Sequence, residues 1–162
     1  THDCVPYDRN LVKELLEALD ASERVAAAYA RQLPAADCGV IERYTRDFNY
    51  PAVSRLKGKE DEDELGIKTY FCSNVCAAYR RDIYLKLGGF TKKTIFNEDM
   101  IFAGHAVEAG YQIAYAADAQ VIHSHNYSGI EQFHRNFDLA VSQAEHPEIF
   151  GGVASKISGC PG

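Results

Sequence analysis

Ile95-Phe96-Asn97-Glu98-Asp99-Met100-Ile101-Phe102 sets two adjacent carboxylates between apolar pairs. Neighbouring charges of one sign are costly to bury, so the pair either opens a helix or does chemistry. Asn97 is a favourable N-cap, which places Glu98 and Asp99 in the first turn, where unpaired backbone N–H groups and the helix dipole favour negative charge. Taken alone, a charged helix start explains the stretch. Further along, Ala103, Val107 and Ala109 continue an apolar face that Gly110 ends, and two strand-like runs, Gln112 to Ala116 and Ala119 to Ser124, bring in His123 with His125 just beyond. Helices alternating with strands in this order predict an α/β fold. Carboxylates and imidazoles then converge near one strand end.

Upstream, Leu11, Val12, Leu15, Leu16 and Leu19 fall at helical spacing behind Asp8 or Asn10 as cap. Val25 to Tyr29 is a short apolar run of the kind found in buried strands, and Gln32 to Gly39, with Pro34, reads as a connection. Ile41, Tyr44 and Phe48 repeat at helical spacing before Pro51 breaks the pattern. The polar run Arg55 to Glu64 is expected to be a solvated, mobile loop. Lys68 to Ala78 reads as a central strand or strand bend, with Tyr70, Cys72 and Asn74 on one side and Phe71, Ser73 and Val75 on the other. Asp82 to Leu87 forms a short helix stopped by Gly88-Gly89, and Ile130, Phe133, Phe137 and Val141 line one face of a last helix. Residues 1–150 are expected to form one domain and residues 151–162 a flexible tail, with no internal repeat.

The 162 residues are enough to bury roughly 70% of the unfolded surface. Seventeen Lys plus Arg against 23 Asp plus Glu give a net charge of −6, and no basic stripe with interleaved aromatics is present, which argues against nucleic acid as partner. Neither a run of about 18 apolar residues nor a signal-peptide pattern occurs, so the reading is cytoplasmic. The five cysteines are spread without metal-ligand clustering and are read as reduced thiols.

Arg80-Arg81-Asp82, Leu87-Gly88-Gly89-Phe90, Glu98-Asp99, Ala109-Gly110-Tyr111 and Val121-Ile122-His123 occur in that order along the chain. The set resembles the C-terminal, acceptor-side part of family 2 glycosyltransferases, the inverting, nucleotide-sugar-dependent kind, and most of all their bacterial rhamnosyltransferase-like branch acting on surface polysaccharides. A complete enzyme of that kind begins with a nucleotide-binding half ending at an Asp-x-Asp turn. The resemblance therefore implies an incomplete GT-A-like fold, a mixed sheet flanked by helices, with the N-terminal nucleotide-binding half missing. Isolated activity is expected to be nil or very low, and uncovered apolar surface to favour a homodimer.

Carried over residue by residue, the resemblance places Thr1-His2-Asp3 at the Asp-x-Asp motif, with Asp3 as the surviving carboxylate for metal and diphosphate. Glu98 and Asp99 match the acidic pair whose second member is the general base. His123 supplies an imidazole to the same metal, with His125 in reserve. Gln132-Phe133-His134-Arg135 partly matches a Gln-x-x-Arg element, which gives Arg135 a phosphate contact; Asn136 stands where processive members carry Trp. Ser73 and Asn74 are candidate acceptor contacts.

Inverting transfer requires a carboxylate within about 2.6–3.2 Å of the attacking hydroxyl, and a positive partner such as Mg²⁺ or Mn²⁺ at the leaving diphosphate. The implied partners are a nucleotide-sugar donor and a glycan or lipid-linked acceptor, approached from the inner membrane face as a peripheral protein. The readings from other classes are a non-catalytic glycan-binding or scaffolding module and a metal-dependent hydrolase using Glu98, Asp99 and the histidines.

Overall fold

The computed structural model describes residues 4–152. Asp3 and most of the segment expected to be a tail lie outside the described residues. Strand β2, Val25–Leu33, opens with six consecutive buried residues, Val25 to Ala30. A strand buried on both faces must be central. It pairs in parallel with β5, Gln112–Ile122, and antiparallel with β4, Ala77–Tyr79. Two short strands, β1 (Val5–Pro6) and β3 (Arg55–Lys57), each add antiparallel to β5, giving a mixed sheet ordered β1-β5-β2-β4.

Helices cover both faces of this sheet. Leu11, Leu15 and Leu19 of α1, Leu11–Leu19, pack on Val25, Ala28, Ala30, Ala114, Ala116 and Val121. On the other face Phe102, Ala103, Ala106 and Val107 of α5, Glu98–Glu108, pack with Ala27, Tyr29, Ile113 and Tyr115. Tyr79, Tyr84, Phe90 and Phe102 close that side, Tyr79 meeting Phe90 edge-on at 5.3 Å and Phe102 at 5.4 Å. The α/β class expected from the order of elements is the class observed.

Four local expectations change. β2 runs on through Gln32 to Leu33 where a connection was expected, because its end keeps a parallel partner in β5. The two strand-like runs after Gly110 are one strand: pairing passes from Ala30↔Ala116 to Arg31↔Gln120, so residues 117–119 bulge out, and the Ala117 N–H goes to Ser54 Oγ at 2.8 Å. The charged run from Arg55 is folded rather than a mobile loop, as β3, a 3₁₀ turn and α3 (Glu62–Leu65). Its charges answer one another, Arg55 meeting Asp61 at 3.1 Å and Glu64 at 2.8 Å, while Lys57 turns inward.

The segment read as a strand over 68–78 is a 3₁₀ turn, Gly66–Tyr70, followed by an irregular stretch that becomes strand only at Ala77. Before the Cys76 carbonyl, which accepts from the Ala30 N–H of β2 at 2.9 Å, several of its backbone groups turn to side chains. The buried ammonium of Lys57 takes the carbonyls of Lys68 and Phe71, and the Asn74 N–H is given to a carboxylate.

The remaining helices are α2 (Val40–Asn49), α4 (Arg81–Lys86), α6 (Gly129–Glu145) and α7 (Pro147–Phe150). A capping box opens α6: Ser128 Oγ accepts from the Glu131 N–H and Glu131 accepts from the Ser128 N–H at 2.8 Å. Ile130, Phe133 and Phe137 share a face of α6 as expected, and that face is exposed.

Candidate active site

Helix α5 brings in the acidic pair at its first turn. Asn97 holds the N-cap position in a left-handed conformation, φ 67°, but its side chain does not cap; its Nδ2 reaches the Leu139 carbonyl of α6 at 3.4 Å. Asparagine tolerates this conformation better than most residues. The sharp turn sends Asp99 inward, where Oδ2 accepts from the Asn74 N–H at 2.9 Å and Oδ1 from the Met100 N–H at 2.8 Å. Glu98 accepts from Asn74 Nδ2 at 3.1 Å, and Asn74 Oδ1 accepts from Tyr79 Oη at 2.5 Å. Asn74 therefore holds both carboxylates, one through its backbone and one through its side chain.

Burial pushes the Asp99 carboxyl up to about 6; the Asn74 amide pulls the other way and the Glu98 charge adds to the rise. A carboxylate tuned there is ionised at neutral pH yet basic enough to take a proton. Burial likewise lifts the Tyr50 phenol to about 12.

On the opposite side β5 ends beside β2, and the His123 N–H donates to the Leu33 carbonyl at 3.0 Å. The imidazole is buried, with Nδ1 2.8 Å from Gln32 Oε1. Gln32 Nε2 donates to Tyr50 Oη at 2.6 Å and to Ser73 Oγ at 2.8 Å, and Gln32 Oε1 also accepts from Arg46. One side chain thus ties His123 to Ser73, the neighbour of Asn74. His123 and the acidic pair are joined through Gln32, Ser73 and Asn74.

His125 stacks edge-on against His123 with ring centroids 4.6 Å apart, and lies 4.9 Å from Tyr127. Its N–H donates to Glu42 at 3.2 Å. The Arg135 guanidinium sits over Tyr127 at 5.1 Å and Phe96 at 5.3 Å, which puts it at the edge of the same cluster. A groove of about 840 Å³ opens between the starts of α2 and α6, walled by Glu42, His125, Asn126, Tyr127, Gln132 and Phe133 among others. Neither the acidic pair nor His123 is part of its wall, so the convergence expected of them does not occur in this groove.

Among the described residues no three of His, Cys, Asp and Glu are gathered as a metal site. The two imidazoles lie together, and the proposed oxygen ligand, Asp3, lies outside the described residues. The donor chemistry nevertheless fits a cation held at an imidazole, since Nδ1 is engaged by Gln32 as metal-bound histidines usually are by an outer partner.

Gln32, Arg46, Tyr50 and Glu42 escaped the reading of the sequence. A faint signal was present: a glutamine directly after a run of apolar strand residues, and a Glu42/Arg46 pair at helical i, i+4 spacing whose members meet at 2.6 Å.

No family model matches the chain. It is 43% identical over 159 residues to the O-antigen chain rhamnosyltransferase WbaN of Salmonella anatum, and 42% identical over 159 residues to the O-antigen chain rhamnosyltransferase RfbN of Salmonella typhimurium. Each match takes in 96% of this chain and 50% of the relative. The chain spans about half the length of the curated relatives it matches. The resemblance to rhamnosyltransferase-type glycosyltransferases is borne out by these relatives.

Proposed function

We propose that this chain is the acceptor-side part of an inverting glycosyltransferase that moves rhamnose or a related sugar from a nucleotide-sugar donor to a polysaccharide or lipid-linked glycan. The observation carrying this reading is the state of Asp99. Its carboxylate is half-buried, raised to about 6 and oriented by the Asn74 N–H, and Ser73, the chain neighbour of Asn74, is hydrogen-bonded through Gln32 to the His123 imidazole. A helix start needing only negative charge would be served by an exposed carboxylate with no such fixation.

In the proposed reaction the acceptor hydroxyl attacks the anomeric carbon from the face opposite the diphosphate, and its proton passes to Asp99. Glu98 accepts from Asn74 Nδ2 and keeps the Asn74 amide oriented. Ser73 and Asn74 lie between the base and the imidazole and are the proposed acceptor contacts. Arg135, which lies over Tyr127, would meet a phosphate oxygen by a charge-assisted bond. His123, with His125 in reserve and Asp3 as oxygen ligand, would hold Mg²⁺ or Mn²⁺. Such an ion would supply positive charge for the leaving diphosphate. Non-processive transfer agrees with Asn136 standing where a Trp marks processive members.

The test is a nucleotide-sugar screen with Mn²⁺ on the protein extended to the length of its relatives, comparing wild type with Asp99→Asn and Asp3→Ala. Transfer by wild type and its loss in Asp99→Asn are expected. Equal rates in all three would remove the assignment, and donor hydrolysis without need of acceptor would replace it by a hydrolase.

A further inference from the structure

Gln32 is 2% exposed and uses every hydrogen-bonding position it has. Oε1 faces Arg46 and His123; Nε2 faces Tyr50 and Ser73. The orientation of a glutamine amide follows from partners that can act in only one sense, and here one partner decides. A guanidinium only donates, so the Gln32 atom beside Arg46 is the carbonyl oxygen. That same oxygen lies 2.8 Å from His123 Nδ1. Two acceptors cannot bond to each other, so Nδ1 carries the proton.

The chain of constraint extends outward. Arg46 is held by Glu42 at 2.6 Å, with both side chains 13% exposed, and Glu42 also accepts from the backbone of His125. Helix α2 therefore reaches over the end of β2 to set one amide, and that amide sets one imidazole. The tautomer of a histidine follows the bond its other nitrogen makes, whereas an unconstrained imidazole in water favours the opposite, Nε2–H form.

We propose that Gln32, oriented by Arg46, is a positioning residue that holds the His123 proton on Nδ1, so that whatever part the imidazole plays in transfer is played through Nε2. Only the role given to that nitrogen rests on the glycosyltransferase reading; the tautomer does not. Loss of such an outer partner typically costs about 10–100-fold in metal affinity or activity.

Two-bond ¹H–¹⁵N correlation spectra of ¹⁵N-histidine-labelled protein, recorded with a chelator at about pH 8.5, well above the ordinary imidazole value, read the tautomer directly. His123→Gln identifies the signal. Wild type is expected to show a protonated Nδ1. Gln32→Leu moves the signature to Nε2–H or to a mixture. Arg46→Gln does the same by releasing the amide to flip, and covers the case in which Gln32→Leu does not fold. Gln32→Glu, an acceptor on both sides, keeps Nδ1–H. An unprotonated Nδ1 in wild type, or an unchanged Nδ1–H signature in folded Gln32→Leu or Arg46→Gln, would overturn the proposal. A longer enzyme that stays fully active as His123→Ala would instead remove the role of the imidazole in transfer, leaving the tautomer result standing.

Discussion

Asp99 is costly to the fold in the state its proposed chemistry needs. Raising a carboxyl from 3.8 to about 6 corresponds to about 3 kcal/mol against the ionised form. Between about pH 4 and pH 6 the folded state keeps a proton that the unfolded state releases, so this group lowers stability as pH rises through that window. Asp99→Asn should therefore lack that slope, while transfer by the longer protein falls by about 10²–10⁴. Urea melts at several pH values check the first part; a slope between about pH 4 and pH 6 that persists unchanged in Asp99→Asn would contradict it. Glu98 and Asp99 were legible in the sequence because they are adjacent and sit at a helix start. Gln32 was not, since its partners lie 14, 18, 41 and 91 positions away and nothing local marks them.

At the scale of elements, two packing points carry specific consequences. Lys57 pins the 3₁₀ turn before Ser73 through two carbonyls and lies 3.2 Å from Tyr29 Oη, and burial lowers its amine to about 7. Lys57→Met leaves those carbonyls without their donor and is expected to cost about 1–3 kcal/mol, read as a lower urea midpoint; an unchanged midpoint would show that the turn does not need the pin. Gly104 of α5 faces α7, where a Cβ would come 2.4 Å from Ile149 Cγ2. Gly104→Ala should lose about 1–3 kcal/mol to overpacking despite the gain in helix propensity, and Ile149→Ala should offset part of that loss in the double mutant. Simple additivity of the two would contradict a direct contact. Helices α1 and α5 and the core of β2 were readable because apolar spacing alone sets them. The region 55–78 was not. Its shape depends on Arg55 finding Asp61 and Glu64, and on a lysine accepting burial, and composition reads both as solvated surface.

Over the whole molecule, α2 and α6 carry apolar side chains to the surface, with Val40 at 85%, Ile41 at 82%, Ile130 at 71% and Phe133 at 65% exposure. Contiguous apolar surface of this kind favours association. Sedimentation is expected to show this chain self-associating with concentration, and Ile41→Lys with Phe133→Lys to shift it toward monomer; a monomer at every concentration would contradict this. Among the described residues no helix is long and apolar enough to cross a membrane. As the proposed base, Asp99 should set the pH profile of kcat/KM in the longer protein. Transfer should rise with pH through about 6, the value at which Asp99 ionises, and Asp99→Asn should remove both the rate and that limb. A limb that persists unchanged in Asp99→Asn would assign the proton to another group and contradict the account.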